Sequence, residues 1–212
     1  PLPDFAKRPA PSVTIPAETI SPSNLGGAKA LSDESGTDTE TALRRGHLIH
    51  LLLEHLPTRP QSEWPVLATQ LLSKPKQDLS GLDTAALLAE ATVLLTKPEL
   101  NFVFTPEALA EVDISADLPS LGGRRIHGTI DRLVINETEI LAIDFKSNAV
   151  VPSDAAHCPE GILRQMAAYG EALKLIYPAK KINMAVLWTK TATLMALPGG
   201  LLGDALSRTD LP

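Results

Sequence analysis

The feature that most constrains this chain is a pair of apolar segments that carry charged residues. The stretch GTIDRLVINETEILAIDFKSN (residues 128–148) is typical of two buried strands joined by a short turn, yet it contains Asp131, Asp144 and Lys146. Charge inside a sheet is costly unless it is paired or binds a metal. We therefore expect these three side chains to share one face of a β-hairpin.

Either of two turn positions brings the two carboxylates together. If residues 137–138 form a two-residue turn, Asp131 lies opposite Asp144, with Cβ atoms about 4.5–5.5 Å apart. If the turn lies at 136–137 instead, the two acids are diagonal neighbours. Acids so placed repel unless a cation lies between them, and their oxygens suit Mg²⁺ or Mn²⁺. Spacing alone also fits a solvated hairpin face with a weak Asp144–Lys146 ion pair, which is a common arrangement.

Composition limits the class of protein. The chain has 212 residues, enough for one large domain with tails or two small domains, and 44% of them are hydrophobic but only 4% aromatic. The one cysteine, Cys158, excludes a disulfide framework and a cysteine-held iron–sulfur cluster, and suits a reducing cytosol. No apolar run approaches the ~20 residues of a membrane span. A stand-alone nucleic-acid binder is usually basic, whereas this chain has a net charge of −6. Any binding of nucleic acid must therefore rely on a local site, on a metal ion or on another domain.

Hydrophobic periodicity predicts an α/β fold with a mixed central sheet flanked by helices and preceded by a helical region. Residues 1–38, rich in Pro, Ser and Gly, are predicted to be a linker or extended segment, and residues 39–212 to be the domain. The proline-rich start also leads us to expect a piece of a longer protein. The predicted helices are 43–56 (ended by Pro57), 64–72, 84–95 (capped by Asp83 or Ser80) and 161–177; the predicted strands are 107 or 111 to 114, 125–135, 139–146, 182–188 and 193–197.

GTIDRL followed by IDFKSN resembles the signature of the PD-(D/E)xK nucleases in their RecB-like form, which is G-x-x-D, a short hairpin and D-x-K. The resemblance implies a restriction-endonuclease-like core in which Asp131 and Asp144 hold a metal and Lys146 assists the attacking water. QMAAY matches the family's Q-x-x-x-Y motif and implies that Gln165 and Tyr169 belong to the catalytic set.

Two further segments resemble family elements. RRGHLIHLLLE is similar to the helix that carries a metal-binding histidine, which would be His47, and ALAEVDI is similar to the early acidic strand, which would make Glu111 an acidic ligand. A structural His47 and an ordinary surface Glu111 remain open alternatives. The resemblance spans about residues 39–197 and is greatest to the C-terminal nuclease domain of AddA-type helicase–nucleases. Ser147 stands where the family has Thr, and residues 149–159 lack an expected basic residue.

The resemblance implies a Mg²⁺-dependent deoxyribonuclease, with Mn²⁺ as a possible substitute. Its substrate would be chiefly single-stranded DNA, delivered by helicase domains of the same parent chain during the processing of double-strand breaks for recombinational repair. An AddB-type subunit would be its partner, and its place would be the bacterial cytoplasm beside the nucleoid, away from membranes. The alternative is a catalytically silent nuclease fold that docks DNA or a partner subunit.

Overall fold

A five-stranded mixed sheet forms the centre of the molecule. The computed structural model describes residues 19–30, 39–74 and 77–209. The strands follow one another across the sheet in chain order; β3 and β4 are parallel and the other neighbours antiparallel. They are β1 (Leu109–Leu118), β2 (Arg124–Ile135), β3 (Glu139–Lys146), β4 (Lys181–Trp188) and β5 (Thr193–Leu197). The predicted fold class, a mixed sheet flanked by helices, is confirmed.

Helices cover both faces of this sheet. They are α1 (Thr39–His55), α2 (Trp64–Leu72), α3 (Thr84–Thr96), α4 (Glu160–Ile176) and α5 (Gly199–Ser207). The first three bury a leucine-rich core against one face, where Phe145 and Leu187 contribute, and α4 and α5 bury a second core against the other face, where Ile130 and Trp188 contribute. Within the described ranges no helix is both long enough and apolar enough to cross a membrane.

Local signals explain the start of α3 and the end of α1. Asp83 caps α3, because its carboxylate accepts the N–H groups of Ala85 and Ala86. Pro57 follows the end of α1, where it removes a helical donor. The sequence pattern does not predict α5, because Gly199-Gly200 is as typical of the end of a strand as of the start of a helix.

The β2–β3 hairpin has the first of the two predicted registers. Ile135 pairs with Ile140, and Arg132 pairs with Ile143. The described pairing stops there, one position before Asp131 would meet Asp144. The two strands therefore separate at the point where the acidic side chains begin.

The alternation of side chains slips at the same level of the sheet. In β2, Ile130 packs in the core beneath α4, whereas Arg132 contacts α1 on the opposite face. The β1–β2 pairing passes from Ala110–Arg132 to Val112–Ile130 and leaves out the position between them, where Glu111 has a positive φ of 50°. A non-glycine residue rarely adopts this conformation, and such strain concentrates at functional sites.

Residues 19–30 lie against the domain. Ile20 forms a parallel bridge with Ile126, and Leu25 is only 2% exposed. Gly27 passes so close to Gly161 that a Cβ atom would lie 2.7 Å from the Gly161 nitrogen. The segment predicted to be a linker thus includes residues that pack on the sheet and on α4. Residues 1–18 and 31–38 of that segment lie outside the described residues.

Candidate metal centre

Asp131 lies in the gap where β2 and β3 separate. One of its carboxylate oxygens accepts the main-chain N–H of Phe145, and the other lies 3.2 Å from Nδ1 of His50. The second ring nitrogen of His50, Nε2, lies 3.1 Å from the carbonyl oxygen of Phe145. Because the strands part here, the carboxylate of Asp131 takes the place of a ladder acceptor for the N–H of Phe145.

Three side chains converge at this gap from three different elements. One ligand atom from each of His50 on α1, Glu111 on β1 and Asp131 on β2 lies within 4.8 Å of the other two. Partial burial, together with the charges of Asp131 and Glu54, raises the pKa of Glu111. Burial lowers the pKa of His50, but the neighbouring Asp131 and Asp144 outweigh it, and the net pKa is raised. The cluster therefore carries an excess of negative charge.

Asp144 and Lys146 form a buried pair beside this cluster. Nζ of Lys146 lies 2.7 Å from one oxygen of Asp144, and Nε2 of Gln165 on α4 donates to the other oxygen over 2.7 Å. Oε1 of Gln165 in turn accepts from Nζ of Lys146 over 3.2 Å. Burial and the charge of Asp131 raise the pKa of Asp144 despite the opposing lysine. Burial opposes the charge of Lys146, but Asp144 outweighs it and raises the pKa of Lys146. One amide thus orients both charged groups.

Tyr169 lies one turn of α4 beyond Gln165 and is buried. Its hydroxyl donates to the carbonyl oxygen of Thr129 over 2.9 Å. A Cβ atom at Gly128 would lie 2.7 Å from this hydroxyl. The glycine of the G-x-x-D motif therefore makes room for the tyrosine of the Q-x-x-x-Y motif. Gln165 and Tyr169 therefore both support the site from α4. Gln165 contacts the charged groups of Asp144 and Lys146, whereas Tyr169 contacts the main chain of β2.

The structure brings together six of the seven residues singled out from the sequence. The residues that lie around the gap are Asp131, Asp144, Lys146, Gln165, Tyr169 and Glu111. His47 does not join them: it is exposed and lines a shallow depression with Arg44 and Asp78. His50, one helical turn later, occupies the place that the sequence motif predicts for His47. The structure thus places His50, and not His47, beside Glu111 and Asp131.

The donor set suits a hard or borderline divalent cation. Mg²⁺ holds oxygen ligands at about 2.1 Å, so ligands on one ion lie at most about 4.2 Å apart. Ligand atoms already within 4.8 Å of one another need to contract only slightly to meet this limit. An imidazole beside two carboxylates also suits Mn²⁺. The residues present therefore fit a divalent metal.

Comparison with known families decides the family of this chain. Residues 24–197 match the sequence model of the PD-(D/E)XK nuclease superfamily. The chain belongs to this superfamily. The match begins at residue 24, inside the segment that packs on the sheet. PD-(D/E)XK nucleases typically use divalent metals, in keeping with the donor set around Asp131.

Two solved structures resemble the PD-(D/E)XK domain. The protein named "Putative exonuclease" from Eubacterium rectale has 15% sequence identity and a TM-score of 0.48, with 80% of this chain and 64% of that chain covered. SSO0001 has 18% identity and a TM-score of 0.33, with 84% of this chain and 89% of that chain covered. The present chain thus spans slightly less than two thirds of the first of these proteins. Comparison with curated proteins finds no match.

Proposed function

We propose that this domain is a metal-dependent nuclease that hydrolyses phosphodiester bonds in DNA. The observation that carries the proposal is the convergence of His50, Glu111 and Asp131 on one point, next to a buried lysine–aspartate pair. A docking module needs neither a cluster of ligand atoms nor a lysine held by two polar partners. Such groups are the apparatus of metal-assisted hydrolysis.

Each residue has a distinct role in this proposal. His50, Glu111 and Asp131 would hold the metal, Asp144 would share in holding it, and the carbonyl oxygen of Phe145 is a further candidate ligand. When bound, a divalent metal polarises the phosphate and lowers the pKa of a coordinated water.

Lys146 would orient the attacking water or stabilise negative charge that develops at phosphorus, and Gln165 holds its ammonium group for that task.

The finer assignment also remains our proposal. We infer that the substrate is chiefly single-stranded DNA, that the domain works within an AddA-type helicase–nuclease in the repair of double-strand breaks, and that an AddB-type subunit is its partner. The net charge of −6 supports this arrangement, because an acidic domain gains little affinity from the phosphate backbone by itself. Helicase domains would supply most of the DNA contacts.

Cleavage of end-labelled single-stranded DNA by the purified 212-residue chain tests the activity. We expect cleavage in Mg²⁺ or Mn²⁺, none in EDTA, and loss of cleavage in Asp144→Ala and Lys146→Ala. Arg125→Ala is the control, because Arg125 is exposed and pairs with Asp117 on the far part of the β1–β2 hairpin. Metal-independent binding of DNA without cleavage would favour the docking module instead, and cleavage that persists in Asp144→Ala would refute the assigned site.

A further inference from the structure

Arg132 is a buried arginine next to the metal centre. The proposed mechanism gives it no role. It is only 4% exposed, and its guanidinium nitrogens NH1 and NH2 donate to main-chain carbonyl oxygens of Ala108 and Leu53, over 3.4 and 2.6 Å. Its Nε is buried and has no hydrogen-bond partner among the described residues. Burying a guanidinium is expensive, so its contacts need an explanation.

The contact with Leu53 follows from the sequence of α1. In an α-helix the carbonyl of residue 53 accepts from the N–H of residue 57. Residue 57 is a proline and has no N–H, so this buried carbonyl lacks its α-helical donor. Arg132 supplies the missing donor, and its charge lies at the carboxyl end of α1, where a cation is favourable.

The contacts of Arg132 reach α1, which carries His50, and the residue just before β1, which carries Glu111. Leu53 is three residues after His50 on α1, and Ala108, immediately before β1, is three residues before Glu111. Arg132 itself follows Asp131 on β2. One side chain thus fastens together the three backbone segments from which the ligand atoms project.

A chain of ring contacts extends the same connection to β3. The guanidinium carbon of Arg132 lies 5.5 Å from the ring centroid of Phe104. The ring of Phe104 lies 6.0 Å from that of Phe145, which in turn meets His50 edge-on at 5.6 Å. The rotation of α1 that brings His50 into the gap is therefore fixed by both polar and aromatic contacts.

We propose that Arg132 is a positioning residue that sets the geometry of the metal site by fixing α1, β1 and β2 relative to one another. This inference rests on the proposed metal-dependent function. Positioning and simple electrostatics predict opposite effects. Removing a positive charge near a cation site should by itself tighten metal binding, whereas releasing α1 and β1 should weaken it.

The test is Mn²⁺ binding to the 212-residue chain, measured by electron paramagnetic resonance. We expect Arg132→Met and Arg132→Lys to bind Mn²⁺ about tenfold more weakly, the lower end of the effect of residues that orient metal ligands. Lysine keeps the charge but is shorter and lacks the two separate nitrogens with which arginine reaches the two carbonyls. Arg164→Met is the matched control, because Arg164 also donates to two carbonyls, those of Leu25 and Arg208, but joins other segments.

Two further measurements keep the proposal refutable. In a His50→Ala background, Arg132→Lys should lower the Mn²⁺ affinity by a smaller factor than in wild type, because the arginine acts partly through His50. In metal-free protein, NMR should show that the ring-current shift of His50 from Phe145 changes in Arg132→Lys and stays unchanged in Arg164→Met. If Arg132→Met does not fold, Arg132→Lys decides the outcome. Wild-type Mn²⁺ affinity in a folded Arg132→Lys, or tighter binding in a folded Arg132→Met, would overturn the proposal. Failure of the wild-type chain to bind Mn²⁺ would instead refute the proposed function.

Discussion

Replacing Gly128 with alanine tests the steric coupling between the G-x-x-D and Q-x-x-x-Y motifs. Gly128 does not adopt a positive φ, and alanine in a strand interior is normally more stable than glycine by roughly 0.5–1 kcal/mol. Here, however, the added Cβ would lie 2.7 Å from the Tyr169 hydroxyl and 3.0 Å from Cδ of Pro22. Overpacking costs about 1–3 kcal/mol, and a broken buried hydrogen bond about 1 kcal/mol more. We therefore expect a net destabilisation of about 1–3 kcal/mol.

The assay is urea unfolding of wild type, Gly128→Ala, Tyr169→Phe and the double variant. Tyr169→Phe should cost about 1 kcal/mol, because it leaves the carbonyl of Thr129 without its donor. In the double variant the nearest clashing atom is absent, although Cε1 of the ring remains 3.2 Å from the new methyl group. The two losses should thus be less than additive, with a coupling of about 1 kcal/mol. A Gly128→Ala variant as stable as wild type, or strictly additive losses, would refute the coupling.

Three other predictions rest on single contacts. Gln165→Leu should lower kcat by about 10–100-fold with an unchanged circular dichroism spectrum, because Asp144 and Lys146 lose the amide that orients both; unchanged cleavage would contradict this. Burial raises the pKa of Cys158 to about 12, so at pH 8 only about one thiol in 10⁴ is ionised, and native protein should react with thiol reagents far more slowly than urea-unfolded protein. Equal reaction rates for native and unfolded protein would contradict the burial of this thiol. Because the thiolate is disfavoured in the folded state, Cys158 lowers the free energy of unfolding only as pH rises above about 9. Leu25→Ala should lower the free energy of unfolding by about 2–5 kcal/mol, whereas a true linker residue would show no effect.

Regular periodicity makes much of the fold predictable. The helix Trp64–Leu72 and the strand Glu139–Lys146 have the predicted bounds, because apolar spacing and flanking turn residues agree there. The hairpin register is one of the two that the turn permits. Asp131, Asp144 and Lys146 stand out in the sequence because a charge buried in an apolar strand is unfavourable unless it has a partner.

The remaining features depend on tertiary contacts that a single sequence does not reveal. The helical period predicts Leu43 and His47 on the packed face of α1, but Leu43 is 71% exposed and the buried stripe includes Ile49 and Leu53. A leucine-rich helix permits several rotations, and the sheet selects the one that directs His50 inward. Pro57 offers a signal, because it marks the carbonyl of Leu53 as needing an outside donor. The irregular backbone at Glu111, where the alternation of side chains between the two sheet faces breaks, has no comparable signal in the residue pattern.

A paired Mn²⁺ titration of His50→Ala and His47→Ala tests the central claim most directly. The two histidines lie one turn apart on the same helix, so the variants remove the same group from almost the same place in the chain. We expect His47→Ala to bind Mn²⁺ as wild type does, and His50→Ala to bind more than about tenfold more weakly, since even residues that merely orient a ligand have effects of that size. Wild-type affinity in His50→Ala, or a loss confined to His47→Ala, would contradict the assignment of His50 to the metal centre.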